Sequence, residues 1–295
     1  MRNFLRKVMD KSMQLVLACI GIILIGALPY LLTEIGEWKL NWQQYFDAIE
    51  EIIIAIFNLD QLTYYGLRGA ERPLFPYLYE PILYSLTLLL GALVLAACVA
   101  LLLTYITMLF SERKRRNIKL VFYLLESIPD LFIIIMFQLF VVYFYKKTNV
   151  LLAEIATIDQ SKAYLMPVLC LAILPTVQFY RLSMLTFENE EKQNYVELAR
   201  SIGFGKTAIF LKHMFPNAII SVFFQSKKII WFMLSNLFVL EFLFNVPGIS
   251  WFLMENMQPK VVSVTLIAIF LPVFVLYAIG EWLIERKANK GEVML

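Results

Sequence analysis

Histidine is nearly absent from this chain: His213 stands alone among 295 residues. With one imidazole and no grouping of Cys, Asp or Glu at ligand spacing, a metal centre built from this sequence is excluded. His213 itself reads as a helix-end residue near a membrane surface. The three cysteines, Cys19, Cys98 and Cys170, are odd in number and sit inside apolar runs, which excludes a disulfide framework and leaves them as small packing groups. Charge is also scarce, at 17% of residues against 60% hydrophobic. A soluble domain has nearer 25% charge and has one core in which to hide its apolar residues. This composition has more apolar surface than such a core holds.

That surplus is arranged in runs. A helix needs roughly 20 apolar residues to cross about 30 Å of hydrocarbon. Six stretches meet that length: Met13 to Leu32, Ile82 to Phe110, Leu120 to Tyr145, Tyr164 to Phe187, Asn217 to Val246 and Val261 to Trp282. Backbone exposed to lipid must satisfy its own hydrogen bonds, so these are helices, and the expected fold is an all-α polytopic membrane protein. The fourth run is the weakest, interrupted by Pro167 and Pro175, and without it the count falls to five. The first follows Arg2, Arg6, Lys7 and Lys11 as a signal peptide would, but it is long for one and no small-x-small cleavage site follows Pro29. It reads as a retained helix.

Basic residues orient the spans. They cluster before the first run, at Arg113 to Arg116 and Lys119, at Lys192, Arg200, Lys206 and Lys212, and at Arg286, Lys287 and Lys290. The stretch after the first run is acidic, with Glu34, Glu37, Asp47, Glu50, Glu51, Asp60, Glu71 and Glu80. The pattern predicts cytoplasmic termini and an external segment from Thr33 to about Glu80, built of short helices and turns such as Gly66-Leu67-Arg68-Gly69. The net charge of +3 is then a set of topology signals, with the lipid bilayer as partner and no nucleic acid. Two regions follow: residues 1–80, the first helix plus the external stretch, and residues 81–295, a five-helix core.

The densest signal lies between Glu188 and Pro216. Glu188, Glu190 and Glu191 open it, as carboxylates suit a helix N-terminus, and the pair Glu190 and Glu191 reads as a solvated helix start. Tyr195, Leu198, Ala199 and Ile202 recur at helical spacing as one apolar stripe, and Gly203 falls where a helix stops. A second helix is expected from about Lys206 to Met214, ending near Pro216. An exposed apolar stripe must be covered, by this chain or by a partner. Gly203-Phe-Gly205-Lys206-Thr207 is not a P-loop: the glycine that should precede it is Arg200, and a helix stands where a strand is required. No nucleophile, base and orienter occur together, so no catalytic site is expected.

At these residues the chain resembles the permease subunits of ABC importers. Tyr195-Val-Glu197-Leu-Ala199, then Gly203, then His213-Met-Phe-Pro216-Asn217-Ala is similar to their EAA loop, with Leu198 in place of the middle Ala. Pro81-Ile-Leu-Tyr-Ser85-Leu-Thr-Leu, Glu126-Ser-Ile-Pro129-Asp-Leu-Phe and Glu241-Phe-Leu-Phe-Asn-Val-Pro247-Gly248-Ile resemble further family segments in family order. The combination resembles the peptide/nickel group, and the long external stretch its B-type subunits. The resemblance implies a permease in the bacterial plasma (inner) membrane for oligopeptides, dipeptides or a similar small solute, nickel included. It implies a second permease subunit, two cytoplasmic ABC ATPases carrying the ATP and Mg, and an external solute-binding protein. No cofactor belongs to this chain itself. Tyr195, Glu197, Leu198, Ala199, Ile202 and Gly203 would be the ATPase-coupling positions.

Polar residues inside spans mark cavities or helix contacts. Gln138, Gln178 and Asn236 sit deepest and are the path candidates. Glu126, Asp130, Gln225 and Glu241 lie nearer span ends, and Lys227 and Lys228 read as snorkelling side chains. Two other classes share this topology. A stand-alone secondary transporter would show internal repeats, and none is evident; a membrane assembly or signalling protein would have no path.

Overall fold

A computed structural model describes residues 2–34, 37–65, 71–150 and 162–288; the turn at Gly66–Gly69 and the tail beyond Ala288 lie outside them. Six of its helices are long and apolar enough to cross a membrane. The elements, in order, are α1 (Arg2–Ala27), strands β1 (Leu32–Glu34) and β2 (Glu37–Leu40), α2 (Trp42–Phe57), β3 (Thr63–Tyr65), β4 (Glu71–Pro73), α3 (Leu74–Tyr77) and α4 (Tyr79–Leu109). Next come α5 (Glu112–Glu126), α6 (Asp130–Thr148), α7 (Leu165–Glu190), α8 (Asn194–Ser201) and α9 (Lys206–Ala208), then a π-helical segment Ile209–Met214. The chain continues as α10 (Phe215–Gln225), α11 (Lys227–Leu243), α12 (Ile249–Glu255) and α13 (Pro259–Ala288). Contacts divide the chain into two units: residues 1–86 with 247–279, and residues 87–246 with 280–295.

The first unit gives the stretch after α1 a definite structure. Asn41 starts α2 by accepting the Gln44 N–H at 3.1 Å, an N-cap made by the side chain best suited to it. The buried side of α2, Ala48 and Ile52, packs on Ala27 of α1, and Tyr45 donates to the Leu24 carbonyl. Two antiparallel ribbons, β1–β2 and β3–β4, flank this helix in sequence. Tyr64 is buried with Leu62, Leu74 and Leu78 against Phe252, Val261 and Val264. Gly26 is where α1 approaches α13: a Cβ there would stand 2.1 Å from Ser263 Oγ.

In the second unit the helix with two prolines is the most buried span. Pro167 falls in the first turn of α7, where its missing N–H would have no partner anyway. Pro175 lies inside and leaves the Leu171 carbonyl without its helical donor; beside it the Thr176 hydroxyl donates to the Ala172 carbonyl at 2.7 Å. α5, α6, α10 and α11 all pack on α7. Tyr180, Met184 and Phe187 are fully buried there.

Two expected spans are divided. The run Leu120 to Tyr145 breaks at Ser127-Ile128-Pro129, because a proline removes an N–H and forces the residue before it out of helical geometry; α5 ends at Glu126 and α6 starts at Asp130. The run Asn217 to Val246 bends at Ser226, whose hydroxyl donates to the Phe223 carbonyl at 2.7 Å. In the other direction, the expected end near Pro216 does not occur. Helix runs from Lys206 to Gln225, and the π-helical turn before Phe215 widens the backbone where the Pro216 ring would meet the Lys212 carbonyl.

Candidate functional site

The segment between α7 and α10 is a short helix held by a complete C-cap. Gly203 adopts φ +96°, a left-handed conformation open to glycine and costly for other residues. Its N–H bonds the Arg200 carbonyl at 3.0 Å, and the Phe204 N–H reaches back to the Ala199 carbonyl at 3.1 Å. Those two bonds are the Schellman arrangement, which uses up the free carbonyls at the end of α8.

The apolar positions of α8 divide between two faces. Val196 and Ala199 are buried against the chain, with Tyr195 half-buried beside them, whereas Leu198 is 61% and Ile202 66% exposed. The single stripe expected from spacing is thus two: the residues three apart, 196 and 199, turn inward, and those four apart, 198 and 202, turn outward. Phe204 and Leu211 are also exposed. With Leu198 and Ile202 they are the large apolar side chains exposed along residues 198–211, called the ridge below, with Ser201, Lys206 and Thr207 exposed between them. Glu197 stands exposed at its start.

Charge fixes this ridge to the membrane helices. Arg115 is buried and donates to the carbonyls of Met108 at 2.5 Å and Phe110 at 2.9 Å, ending α4. Its Nη1 also meets Glu191 Oε2 at 2.5 Å, and Glu191 Oε1 accepts from Arg200 of α8 at 2.8 Å. Lys119 on α5 pairs with Glu188 at 2.8 Å. Glu190 accepts from the Tyr195 hydroxyl. Burial first, and then that carboxylate, push the Tyr195 phenol up to about 12, so it stays a donor at any physiological pH. The acidic opening of the loop is therefore a set of anchors and not a free solvated helix start. A cavity of about 390 Å³ lies beside it, bordered by Arg115, Glu191, Arg200, Lys206, Phe210 and Met214. Phe210, on its border, lies parallel to Phe187 at 4.6 Å, and Phe215 is 6.2 Å from Phe187.

Arg115 and Val196 escaped sequence reading. Arg115 sits in the run Arg113-Lys114-Arg115-Arg116, in which nothing marks one guanidinium as buried. Val196 lies one residue from the stripe that spacing picked out.

Of the three deep polar residues, Asn236 alone borders one of the two cavities described. Gln138 donates to the Leu243 carbonyl at 3.1 Å and so closes the end of α11. Asn236 borders a void of about 20 Å³ with Asp130, Cys170, Leu171 and Leu174, room for about one water. Gln178 is half-buried on α7. Glu126 pairs with Arg181, whose guanidinium lies 4.2 Å over the Tyr123 ring.

The model of one family, the binding-protein-dependent transport system inner membrane component, matches residues 94–288. The chain belongs to that family. It is therefore a membrane permease component of an ABC transporter, a transport subunit and not itself an enzyme. The match covers α8, the ridge and every helix from the middle of α4 to the end of α13. No curated protein matches the chain.

Proposed function

We propose that this permease is half of an ATP-driven importer and that the Leu198–Leu211 ridge is where a cytoplasmic ATPase docks. The observation that carries the reading is the exposure of Leu198 and Ile202 at a capped helix tied by Arg115, Glu191 and Arg200 to a membrane helix, with Phe204 and Leu211 exposed on the segment that follows. Exposed apolar groups of this kind await a partner, and the rigid ties give that partner's motion a route into the bundle. In this reading the termini and the ridge are cytoplasmic, and α2 with its ribbons lies outside, where a solute-binding protein delivers its load. Residues 81–295 form the permease core, paired with a second permease subunit in a bacterial inner membrane. ATP and Mg belong to the ATPases. Closure of the ATPases moves the ridge, and the helices reorient around a central route.

For the solute, the sequence segments around Glu197, Pro129 and Pro247 favour oligopeptides, dipeptides or another small solute such as nickel. A charge placed on the ridge tests the docking. Ile202→Glu should leave the permease in the membrane and abolish co-purification of the ATPase. Retention of the ATPase by that variant would remove the ridge from the interface.

A further inference from the structure

Lys228 follows the Lys206–Gln225 helix by three residues, yet it stands midway along the stretch formed by α10 and α11 together. Phe215 stands beside Phe187, near the charged end of α7, whereas Asn236 and Leu240 border the void against Cys170, Leu171 and Leu174 toward its other end. α10 and α11 therefore run antiparallel along α7 as one bent crossing, and the bend at Ser226 falls midway. At roughly 1.5 Å per residue, Lys228 is about 20 Å from Phe215 and about 22 Å from Leu243. A lysine stem reaches about 6 Å, too short to carry its ammonium out of a hydrocarbon layer some 30 Å thick.

The surroundings are specific. Ile229, Met233, Leu237 and Leu240 are buried against the chain's own helices. The other side of the crossing is uncovered: Gln225, Lys228 and Ser235 are exposed and share about a third of the helix circumference, with Val239 and Phe242 following on the same side. Elsewhere at comparable depth the chain neutralises its charge, as Glu126 and Arg181 do. Lys228 forms no ion pair among the described residues. A charged and two polar side chains in line do not face lipid at mid-depth.

We propose that the Gln225–Lys228–Ser235 face lines the water-filled part of the transport route and that Lys228 selects solutes bearing an anionic group such as a carboxylate. This rests on the permease reading above. Water and a passing anion solvate the ammonium, while the neutral Gln225 and Ser235 offer hydrogen bonds without holding the solute by charge. Selection at a single cation is weak enough to release what it attracts, as a route requires.

The test uses the full chain in membranes, with Cys19, Cys98 and Cys170 replaced by Ser and a single Ser235→Cys introduced. An anionic sulfonatoethyl and a cationic trimethylammonioethyl methanethiosulfonate are the probes. Both should react, the anionic one preferentially, and Lys228→Gln should lower the anionic-to-cationic rate ratio on the order of tenfold, the effect of one charge within a few ångströms of a wet path. Lys228→Arg should retain the ratio. An unchanged ratio in Lys228→Gln, or no reaction with either probe, overturns the proposal. Loss of the paired permease subunit from Lys228→Gln also overturns it, in favour of a subunit contact. ATPase co-purification scored on the same samples reports separately on the permease reading.

Discussion

Replacing Arg115 with Met tests whether charge, and not packing, holds the loop in place. Methionine keeps most of the stem's length and apolar contact, so the change removes little but the guanidinium. That group makes four charge-assisted hydrogen bonds, to Met108 O, Phe110 O and both carboxylate oxygens of Glu191. At about 1.5–3 kcal/mol each they would sum to well over 4 kcal/mol. Two features reduce the figure. The Glu191 side chain is 26% exposed and keeps Arg200, and the adjoining cavity admits water to the freed carbonyls. Breaking a fully buried pair costs about 3–5 kcal/mol, so about 2–3 kcal/mol is expected here. That is roughly a 30- to 150-fold shift toward an undocked loop. Hydrogen–deuterium exchange of the protein in nanodiscs reads it directly: amides of residues 191–204 should lose about that much protection, while those of α13 keep theirs. Lys119→Met is the control. Its pair with Glu188 is a quarter to a third exposed on both sides, and such pairs contribute under about 1 kcal/mol. Equal protection in Arg115→Met and the unmodified protein would refute the reasoning, as would an equally large loss in Lys119→Met.

Other outcomes follow from single residues. Gly203→Val forces a branched side chain to φ +96° with open space around its Cβ, so about 1–3 kcal/mol of backbone strain acts alone. ATPase-coupled transport should fall while membrane insertion persists; normal transport would show that the cap is dispensable. Tyr64→Ala removes a ring buried edge-on against Phe252 and Tyr77 and should cost about 3 kcal/mol by thermal unfolding in detergent. Tyr65→Ala removes an exposed ring with one hydrogen bond to Glu71 and should cost under about 1 kcal/mol; equal losses would contradict the burial.

Much of this was written plainly in the sequence, because a membrane leaves few options for a long apolar run. The spans at α1, α4 and α13 need only length and composition to be found. Gly203 is legible for a local reason: few other residues end a helix in that conformation. What escaped depends on tertiary partners. Pro175 looked like a weakness in α7, yet four helices pack around that helix and keep it whole. Pro129 and Ser226 divide spans that hydropathy averages into one. The inward face of α8 was misassigned because Val196 falls outside the series Tyr195, Leu198, Ala199, Ile202, although Leu198 and Ile202 of that series point out. The ribbons β1–β2 and β3–β4 hold three or four residues per strand, too few for a period to show.

The central claim is that the ridge meets an ATPase on the cytoplasmic side. Single cysteines at Ile202 and, as a control, at exposed Asp47 of α2, in a background free of other cysteines, allow cross-linking with a short bismaleimide in whole cells. The account predicts that Ile202→Cys forms a covalent adduct with the ATPase, sensitive to nucleotide, and that Asp47→Cys forms none but reacts with an impermeant maleimide added outside. An ATPase adduct at Asp47→Cys, or outside labelling of Ile202→Cys, would contradict it.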